Sequence, residues 1–475
     1  MVSFQKRNLL NIKSPNPSVE TFLHAFLPHK FVDHTHADAI LDITNRPNGL
    51  KLCKKIFGPK VGYVPYIMPG FLLAKKVFET YQKNPEVNCL ILLNHGIFTF
   101  SDSGKEAYDL MIKNVTLAEL AIKKMKSKKI KQIELSKSTL NPSEIAPVLR
   151  GLLAEKDNSF IVNYRTNKDI QYFMNGVDAK KYSHLGTVTP DHVIRIKPYP
   201  LIINLASSDD INTFRIKAKK SIVKYKSEYI AYYKKYSKKK KLTMLDPYPR
   251  IIYVTGMGMF SIGNVYNAAL IAGDVAETNA RVIASVQETS IYQTIKEKDI
   301  FDIEYWSLEQ AKVNKSKKLL QGKVVVITGS LGTIGFETYK VFKKQGAEVV
   351  LLDYDKIKIK EAQLHVSDLC LFADVTNRKS VKDAYKKICQ TFGGIDILIS
   401  NAGSLSSGPV ADISDVDLKK SFDDNFFSHQ ICASEAVKIM LHQKSKGCLL
   451  FNISKQSVNP GLNFGSYGLP KTALL

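Results

Sequence analysis

The chain has 475 residues, a length that predicts about two to four domains rather than a single core. Hydrophobic residues make up 44% and charged residues 24%, values typical of a soluble globular protein. No apolar run approaches the roughly 20 residues needed to cross a bilayer, so we expect no membrane partner. The six cysteines include no C-x-x-C pair, which excludes a zinc ribbon or disulfide scaffold and favours a cytoplasmic location.

The net charge of +24 comes from 68 basic and 44 acidic residues, a surplus that is also found in nucleic-acid-binding proteins. Lysines are spread along the whole chain, however. The two densest stretches, Lys123–Lys137 and Lys217–Lys241, are predicted as helices with solvated faces. We therefore expect no nucleic-acid partner. The positive field instead favours small phosphorylated sugars and dinucleotides.

Three regions follow one another, residues 1–145, 146–316 and 317–475. The first two alternate helical and strand-like segments, and the third begins after the lysine-rich connector Lys312–Lys318. The segment Asn94–Phe100 in the first region is similar to Thr255–Ile262 in the second. Two interpretations of the second region stay open, a degenerate copy of the first region or a separate central α/β segment. In a degenerate copy, Met257 would stand where the first region has His95.

Three histidines of the first region stand in a pattern typical of a catalytic metal site. His34 and His36 are two residues apart on an extended segment, so their side chains lie on the same side. A second strand leads into Asn94-His95-Gly96, where the glycine allows a close turn. Three neutral imidazoles with an open fourth position predict a catalytic zinc rather than a structural one.

The ordered set P-S-x-E, H-x-H and N-H-G resembles the class II aldolase/adducin family over most of residues 14–120. The resemblance implies that His34, His36 and His95 bind zinc and that Glu20 is the acid/base beside the metal. The adducin branch of the family lacks these histidines, so their presence favours an enzyme. Zinc in such a site stabilises the charge that develops when a ketose phosphate is cleaved.

A dinucleotide site is predicted where the third region begins. The buried-type strand Lys323–Ile327 leads into a glycine-rich turn and then a helix that continues through Lys344. Glycines let the backbone approach a pyrophosphate, which then rests on the helix N-terminus. Asp353 ends the next strand, where a carboxylate binds ribose hydroxyls and repels a 2′-phosphate. The pattern therefore favours NAD over NADP.

Residues further along the third region complete an ordered catalytic series. Tyr467 and Lys471 share one helix face, so the ammonium can stabilise the phenolate while Tyr467 exchanges a proton with an alcohol or carbonyl. Ser454 would hydrogen-bond the substrate oxygen. Asn425 would support a water relay behind the lysine.

This series resembles the short-chain dehydrogenase/reductase family over residues 322–475. The resemblance implies catalytic roles for Asn425, Ser454, Tyr467 and Lys471, with NAD as the cofactor. It also implies that NAD contacts a larger set of residues: Gly329, Ser330, Gly332, Thr333, Ile334, Gly335, Asp353, Asp374, Val375, Asn401, Ala402, Gly403, Tyr467 and Lys471.

Taken in order, the three regions resemble the bifunctional rhamnulose-1-phosphate aldolase/short-chain dehydrogenase family. The implied fold class is α/β, a class II aldolase-like α/β domain followed by a Rossmann domain with a doubly wound parallel sheet. The first implied activity is zinc-dependent retro-aldol cleavage of a deoxy-ketose 1-phosphate to dihydroxyacetone phosphate and lactaldehyde. The second is NAD-dependent hydride transfer on the aldehyde or a related alcohol. A homo-oligomer acting on small-molecule substrates is expected by the same analogy.

Two alternatives to the bifunctional enzyme stay open. The family places further elements before P-S-x-E and after Lys471, so we expect a chain truncated at both ends, and one alternative is an inactive fragment. The other is a single-activity NAD-dependent dehydrogenase whose aldolase-like front part has become a structural module.

Overall fold

The computed structural model describes residues 2–14, 16–18, 20–135, 138–154, 159–238, 240–310 and 317–475. Within these ranges, every helix is too short or too polar to span a bilayer. The predicted connector Lys312–Lys318 lies mostly outside the described residues. The bounds of the three predicted regions stay predictions. The predicted α/β class is confirmed, since three sheets with their helices follow one another along the chain.

The N-terminal part is built around a mixed four-stranded sheet. Its helices and strands are, in chain order, α1 (Val2–Arg7), α2 (Thr21–Phe26), β1 (Phe31–Thr35), α3 (Asp38–Thr44), α4 (Gly49–Phe57), β2 (Val61–Val64), α5 (Phe71–Lys83), β3 (Cys89–Leu92), β4 (Gly96–Ser101) and α6 (Gly104–Lys123). The strand order is β1-β4-β3-β2, with β2 and β3 parallel and the other pairs antiparallel. Along β4, Phe98 and Phe100 pack into one hydrophobic cluster and Ile97 into another, so both faces of the sheet are covered.

The central part has a sheet of the same construction. Its elements are α7 (Pro142–Leu153), β5 (Ile161–Arg165), α8 (Lys168–Met174), α9 (Ala179–Ser183), α10 (Val193–Ile196), β6 (Leu201–Ile203), α11 (Ile211–Ser237), β7 (Ile251–Val254), β8 (Gly258–Gly263), α12 (Tyr266–Thr289), α13 (Glu297–Glu304) and α14 (Ser307–Gln310). The order β5-β8-β7-β6 and the directions of its three pairings repeat those of the N-terminal sheet.

The C-terminal part is a five-stranded sheet whose neighbouring strands are all parallel. Its elements are β9 (Val324–Thr328), α15 (Thr333–Lys344), β10 (Glu348–Asp353), α16 (Lys356–His365), β11 (Leu369–Phe372), α17 (Arg378–Phe392), β12 (Ile397–Ser400), α18 (Asp415–Phe422), a π-helical turn (Asp423–Phe427), α19 (Ser428–Gln443), β13 (Cys448–Phe451) and α20 (Gly465–Leu474). The order β11-β10-β9-β12-β13 confirms the predicted doubly wound sheet, because the direction of sheet growth reverses between β9 and β12. A crevice opens at such a reversal, at the carboxyl ends of the strands.

The two lysine-rich stretches behave differently. The prediction for Lys217–Lys241 is confirmed up to Ser237, because α11 buries Tyr225, Tyr229 and Tyr232 along one side and leaves most of its lysines exposed. The helix predicted over Lys123–Lys137 is wrong, since α6 ends at Lys123. There the backbone bonds to the central part instead, with Lys128 donating to the Glu288 carbonyl and Ile133 to the Asn175 carbonyl. Residues 136 and 137 lie outside the described residues.

A buried ion pair joins the central and C-terminal parts. Arg150 of α7 binds the carboxylate of Asp396 through two nitrogens, at 2.6 and 3.3 Å. Its guanidinium also donates to the carbonyls of Phe160 and Gly322, both at 2.8 Å. Asp396 in turn accepts from the Val324 amide at the start of β9. The pair therefore anchors the parallel sheet to the central part.

Replacing Arg150 with methionine (Arg150→Met) is expected to lower the free energy of unfolding by about 3–5 kcal/mol, because it leaves a carboxylate buried without its counter-charge. The double variant Arg150→Met/Asp396→Asn should recover part of this loss, since asparagine carries no charge and still accepts from Val324. Urea denaturation followed by far-UV circular dichroism measures both. Equal instability of the single and double variants would show that the unpaired charge is not the cause.

Candidate active sites

The first site lies at one end of the N-terminal sheet. Strand β1 pairs with β4 in a register that sets His34 opposite Phe98, and the two rings stack with centroids 3.9 Å apart. His36 follows β1 directly. His95 occupies the tight turn between β3 and β4, where the preceding Asn94 adopts a left-handed φ of 58°. Pairing of β4 between β1 and β3 thus brings together histidines that are distant in sequence.

The donor atoms of these histidines converge with the carboxylate of Glu20. The Nε2 atoms of His34 and His36 are 3.0 Å apart, and Glu20 Oε1 lies 2.9 Å from His95 Nε2 and 3.7 Å from His34 Nε2. One ligand atom from each of the four residues lies within 4.8 Å of all the others. Two nitrogen ligands at about 2.1 Å from a tetrahedral zinc ion lie roughly 3.4 Å apart, close to the 3.0 Å between the Nε2 atoms of His34 and His36. The residues present therefore fit a zinc ion.

Burial keeps His34 and His36 in the neutral form that binds metals. Desolvation lowers the pKa of His34 to about 3 and that of His36 to about 4, and neighbouring imidazoles add to this effect. Burial alone would raise the pKa of Glu20, but its hydrogen bond and charge interaction with His95 bring it down to about 2. At neutral pH the site thus offers the neutral imidazoles of His34 and His36 and the carboxylate of Glu20, donors of the kind that a metal centre uses.

A glycine makes this close packing of rings feasible. A Cβ atom added at Gly96 would lie 2.5 Å from the Thr35 carbonyl oxygen and 3.0 Å from ring atoms of both His34 and His36. The Thr35 oxygen belongs to the backbone, so no side-chain rotation could relieve its short distance to a Cβ atom at position 96. Gly96 therefore allows β4 to lie close to the candidate metal ligands, as the N-H-G pattern predicts.

Sequence reasoning missed two central residues that reach this site. Asp191 Oδ1 lies 3.7 Å from His36 Nδ1, and Asp191 and His192 form a second candidate cluster that shares His36 with the first. Nothing in the spacing of the sequence points to them, because they arrive from a loop of the central part.

The central part has other side chains where the first site has histidines. Met257 precedes β8 as His95 precedes β4, and Tyr164 stands opposite Phe260 as His34 stands opposite Phe98. The Tyr164 hydroxyl donates to the Met257 carbonyl, so the position is filled by a packing contact. Among the described residues, the candidate metal-binding clusters all include His36, and none is centred on this second sheet.

The second site is a cavity of about 1040 Å³ at the carboxyl ends of the parallel strands. Most of the residues expected to contact NAD line it: Gly329, Gly332, Thr333, Ile334, Gly335, Asp353, Asp374, Val375, Asn401, Ala402, Gly403, Tyr467 and Lys471. Ser454 lines it as well. The fold thus brings the glycine-rich turn, Ser454, Tyr467 and Lys471 to one crevice, whereas Asn425 is wholly buried and does not line it.

Ser330 is the exception, and its expected contact with the cofactor needs correction. The residue is wholly buried beneath the turn, and both its hydroxyl and its amide donate to the Leu352 carbonyl. Ser330 therefore faces the protein interior and ties the turn to β10, while the glycines beside it face the cavity.

The turn is shaped for a close backbone approach. Gly329 has a φ of 59°, which disfavours residues with a side chain, and a Cβ atom at Gly335 would lie 2.3 Å from the Gly329 carbonyl oxygen. Asn401 donates to the carbonyls of Thr328 and Gly329 and so fixes the turn against β12. Such a turn, followed by a helix N-terminus, fits the pyrophosphate of a dinucleotide.

Asp353 stands at the end of β10, on the wall of the cavity. One carboxylate oxygen accepts from the Leu331 amide at 3.0 Å and the other from the Asp355 amide at 3.2 Å. These two bonds fix the carboxylate and leave lone pairs for ribose hydroxyls.

The predicted catalytic pair, Tyr467 and Lys471, lies on α20 beside the cavity. The ammonium of Lys471 is 5.9 Å from the centre of the Tyr467 ring and donates to the Asn452 carbonyl at 3.3 Å. Burial lowers the pKa of Lys471 to about 8.

The side-chain amide of Asn425 donates to the carbonyls of Ser404 and Ser421, while its buried Oδ1 has no partner among the described residues. That free acceptor suits the water relay expected of Asn425.

Another residue that sequence reasoning missed is His429, which is wholly buried on α19. Its Nε2 lies 3.3 Å from Lys471 Nζ and its Nδ1 lies 2.6 Å from Ser400 Oγ. Desolvation, together with the nearby lysine, lowers its pKa to about 4. A neutral His429 thus accepts from the ammonium and keeps Lys471 in place.

Comparison with known proteins divides the chain in the same way. The family described as Class II Aldolase and Adducin N-terminal domain matches residues 1–122. The family described as Aldolase class II, second domain, matches residues 141–313. The family described as short chain dehydrogenase matches residues 323–475. The chain therefore combines two parts that match class II aldolase domains with a third part that matches a short chain dehydrogenase domain, and the expected order of these parts is confirmed.

Individual proteins are similar to all or part of this chain. The uncharacterized oxidoreductase YuxG of Bacillus subtilis (strain 168) is 29% identical over 488 residues, covering 99% of this chain and 70% of that protein. The short chain aldehyde dehydrogenase 1 of Euphorbia lathyris is 34% identical over 166 residues, which are 34% of this chain and 57% of that protein. A solved structure of an NAD+-bound xylitol dehydrogenase is 26% identical, with a TM-score of 0.32, over 33% of this chain and 62% of that one.

Asp353 gives a direct test of cofactor choice. The variant Asp353→Asn removes the charge but keeps the shape, so the preference for NAD over NADP should fall on the order of 10²-fold, because a like charge beside the 2′-phosphate costs several kcal/mol. Dissociation constants for NADH and NADPH, measured by fluorescence titration, give the ratio.

The control for this test is Asp355→Asn, since Asp355 binds the amides of Ile357 and Lys358 at the start of α16. It should leave the ratio unchanged. A wild-type protein that binds NADPH as tightly as NADH would contradict the role of Asp353.

Proposed function

We propose that this protein is a bifunctional enzyme that cleaves a deoxy-ketose 1-phosphate in its N-terminal part and transfers a hydride in its C-terminal part. The observation that carries the proposal is the convergence of Glu20, His34, His36 and His95 within 4.8 Å. In this proposal the metal is zinc, the substrate is similar to rhamnulose 1-phosphate, and the products are dihydroxyacetone phosphate and lactaldehyde.

In the cleavage half, His34, His36 and His95 would hold the zinc ion. When bound, the ion supplies the Lewis acid that a retro-aldol cleavage needs. Glu20 provides the base and acid. Its carboxylate lies against the ligand cluster, 2.9 Å from His95, and it is ionised at neutral pH. As a carboxylate it would take up the proton of the C4 hydroxyl while the C3–C4 bond breaks, and it would then return a proton to C3.

In the redox half, NAD would lie along the cavity with its pyrophosphate at the glycine-rich turn and its ribose at Asp353. Tyr467 gives a proton to the aldehyde oxygen during reduction and takes it back during oxidation. Lys471 stabilises the phenolate, Ser454 hydrogen-bonds the substrate oxygen, and Asn425 offers a free acceptor to the water relay. The aldehyde or a related alcohol is the substrate of this half.

We further propose a cytoplasmic homo-oligomer whose ligands are small molecules. The six cysteines are all free thiols, five of them buried, which suits a reducing compartment. Oligomerisation rests on analogy with other class II aldolases.

The proposal is tested by metal analysis of the purified chain together with a screen of ketose 1-phosphates, in which NADH absorbance is followed with either NAD or NADH present. A bifunctional enzyme gives about one zinc ion per chain, aldol cleavage and a coupled absorbance change. Cleavage without any change in cofactor would leave only the aldolase. Turnover of cofactor on an added aldehyde by a wild-type chain that neither binds zinc nor cleaves the sugar phosphates would favour the single-activity dehydrogenase.

A further inference from the structure

A loop of the central part, residues 186–192, lies against the N-terminal part beside the metal ligands. The Asn45 side chain donates to the Val188 carbonyl at 3.0 Å, and the Asn45 carbonyl accepts from the Gln293 amide at 3.0 Å. On the central side, Asn279 accepts from the Val188 amide at 3.0 Å. The loop is therefore fixed to both parts and its position relative to the ligands is set.

Asp191 of this loop faces a metal ligand. Its Oδ1 lies 3.7 Å from His36 Nδ1, and the same oxygen accepts from the Thr189 hydroxyl at 2.6 Å. The carbonyl of Thr189 accepts in turn from the Thr187 hydroxyl at 2.8 Å. This chain of bonds holds the carboxylate toward the histidine. At 3.7 Å the contact with His36 is one of charge rather than a hydrogen bond.

The two nitrogens of His36 have different surroundings. Its Nε2 lies 3.0 Å from the Nε2 of His34, inside the ligand cluster, so this atom is the one available to a metal. A neutral imidazole with a free Nε2 carries its proton on Nδ1. That N–H is on the side of Asp191, where a negative charge favours this tautomer.

Among the described residues, no such carboxylate faces the Nδ1 atom of either of the other two ligands. His34 Nδ1 lies 2.9 Å from the Ile97 carbonyl of its own sheet, and His95 Nδ1 has no partner among the described residues. A carboxylate or carbonyl behind a ligating imidazole sets its orientation and raises its basicity. Within the described cluster, His36 alone receives this support from another part of the chain.

We infer that the central part completes the metal site of the N-terminal part, with Asp191 as a positioning residue that orients His36 for metal binding. This inference rests on the proposed zinc site. It gives the central part a role although its own sheet has Met257 and Tyr164 where the first site has histidines.

The test uses the full-length chain and Zn²⁺ alone, with affinity measured by competition against a chromophoric chelator. The variant Asp191→Asn should bind zinc about 10–100-fold more weakly than the wild type. The absorption spectrum of the Co²⁺-loaded protein should also change, because the His36 ring is held differently. Thr189→Val, which removes the hydroxyl that holds Asp191, should weaken zinc binding in the same direction and by less.

The matched control is Arg281→Gln, which breaks the 2.7 Å ion pair between Arg281 of the central part and Asp38 of the N-terminal part. It should leave zinc affinity and the Co²⁺ spectrum unchanged, and NADH binding should be normal in all variants. Wild-type affinity and spectrum in both Asp191→Asn and Thr189→Val would overturn the inference while leaving the proposed zinc site intact. A wild-type chain that binds no zinc would overturn the proposed function, and this inference with it.

Discussion

Replacing His95 with alanine (His95→Ala) is expected to abolish zinc binding and aldol cleavage together while hydride transfer continues. The side chain is almost completely buried, and its Nε2 lies in the ligand cluster at 2.9 Å from Glu20. Loss of a Lewis acid that supplies about 4 kcal/mol of transition-state stabilisation corresponds to about 10³-fold in rate. Zinc content by mass spectrometry and cleavage of the sugar phosphate are measured on the same preparation.

His29→Ala is the matched control for His95→Ala. The His29 ring also lies in the N-terminal part and has a buried nitrogen without a partner among the described residues, but it stacks on Phe100 rather than facing Glu20. The His29→Ala protein should therefore keep its zinc. Full cleavage activity in zinc-free His95→Ala protein would refute the metal mechanism, and equal loss of hydride transfer would show that the substitution disturbs the whole fold.

The second large effect is expected at Tyr467. Changing Tyr467 to phenylalanine (Tyr467→Phe) removes one oxygen atom and with it the group that exchanges a proton with the substrate. General acid–base catalysis contributes about 10²–10⁴-fold, so kcat for hydride transfer should fall by that factor. The affinity for NADH should stay within about twofold of the wild type, because the aromatic ring remains in the cavity. The rate of aldol cleavage should do the same, because Tyr467 lies on α20 of the C-terminal part and the metal cluster lies in the N-terminal part.

Tyr354→Phe serves as the comparison for Tyr467→Phe, since Tyr354 lines the same cavity and its side chain is exposed. It should leave kcat unchanged. Stopped-flow measurement of NADH oxidation separates the chemical step from product release. A chemical step of normal rate in Tyr467→Phe would assign proton transfer to another group, and the redox half of the proposal would fail.

Local pattern was enough to predict much of the fold. A buried strand, a glycine-rich turn and a helix are formed by neighbouring residues, so β9, Gly329 and α15 follow the sequence closely. Residues two apart on a strand share one side, which is why His34 and His36 were expected together. The lysine-rich stretch after Lys123 was predicted wrongly, because hydrogen bonds to the Asn175 and Glu288 carbonyls replace the helix that its composition favours.

The sequence by itself determined the α/β class, the order of the parts and the short motifs that carry the chemistry, because these depend on spacing along a few residues. Only the tertiary structure decided what surrounds those motifs. Asp191 and His429 reach His36 and Lys471 from distant elements, and Ser330 turns inward although its neighbours face the cavity. Packing between distant segments sets such contacts. The spacing of residues in the sequence does not show which side of a turn a residue faces, or which loop of another part of the chain will contact a site.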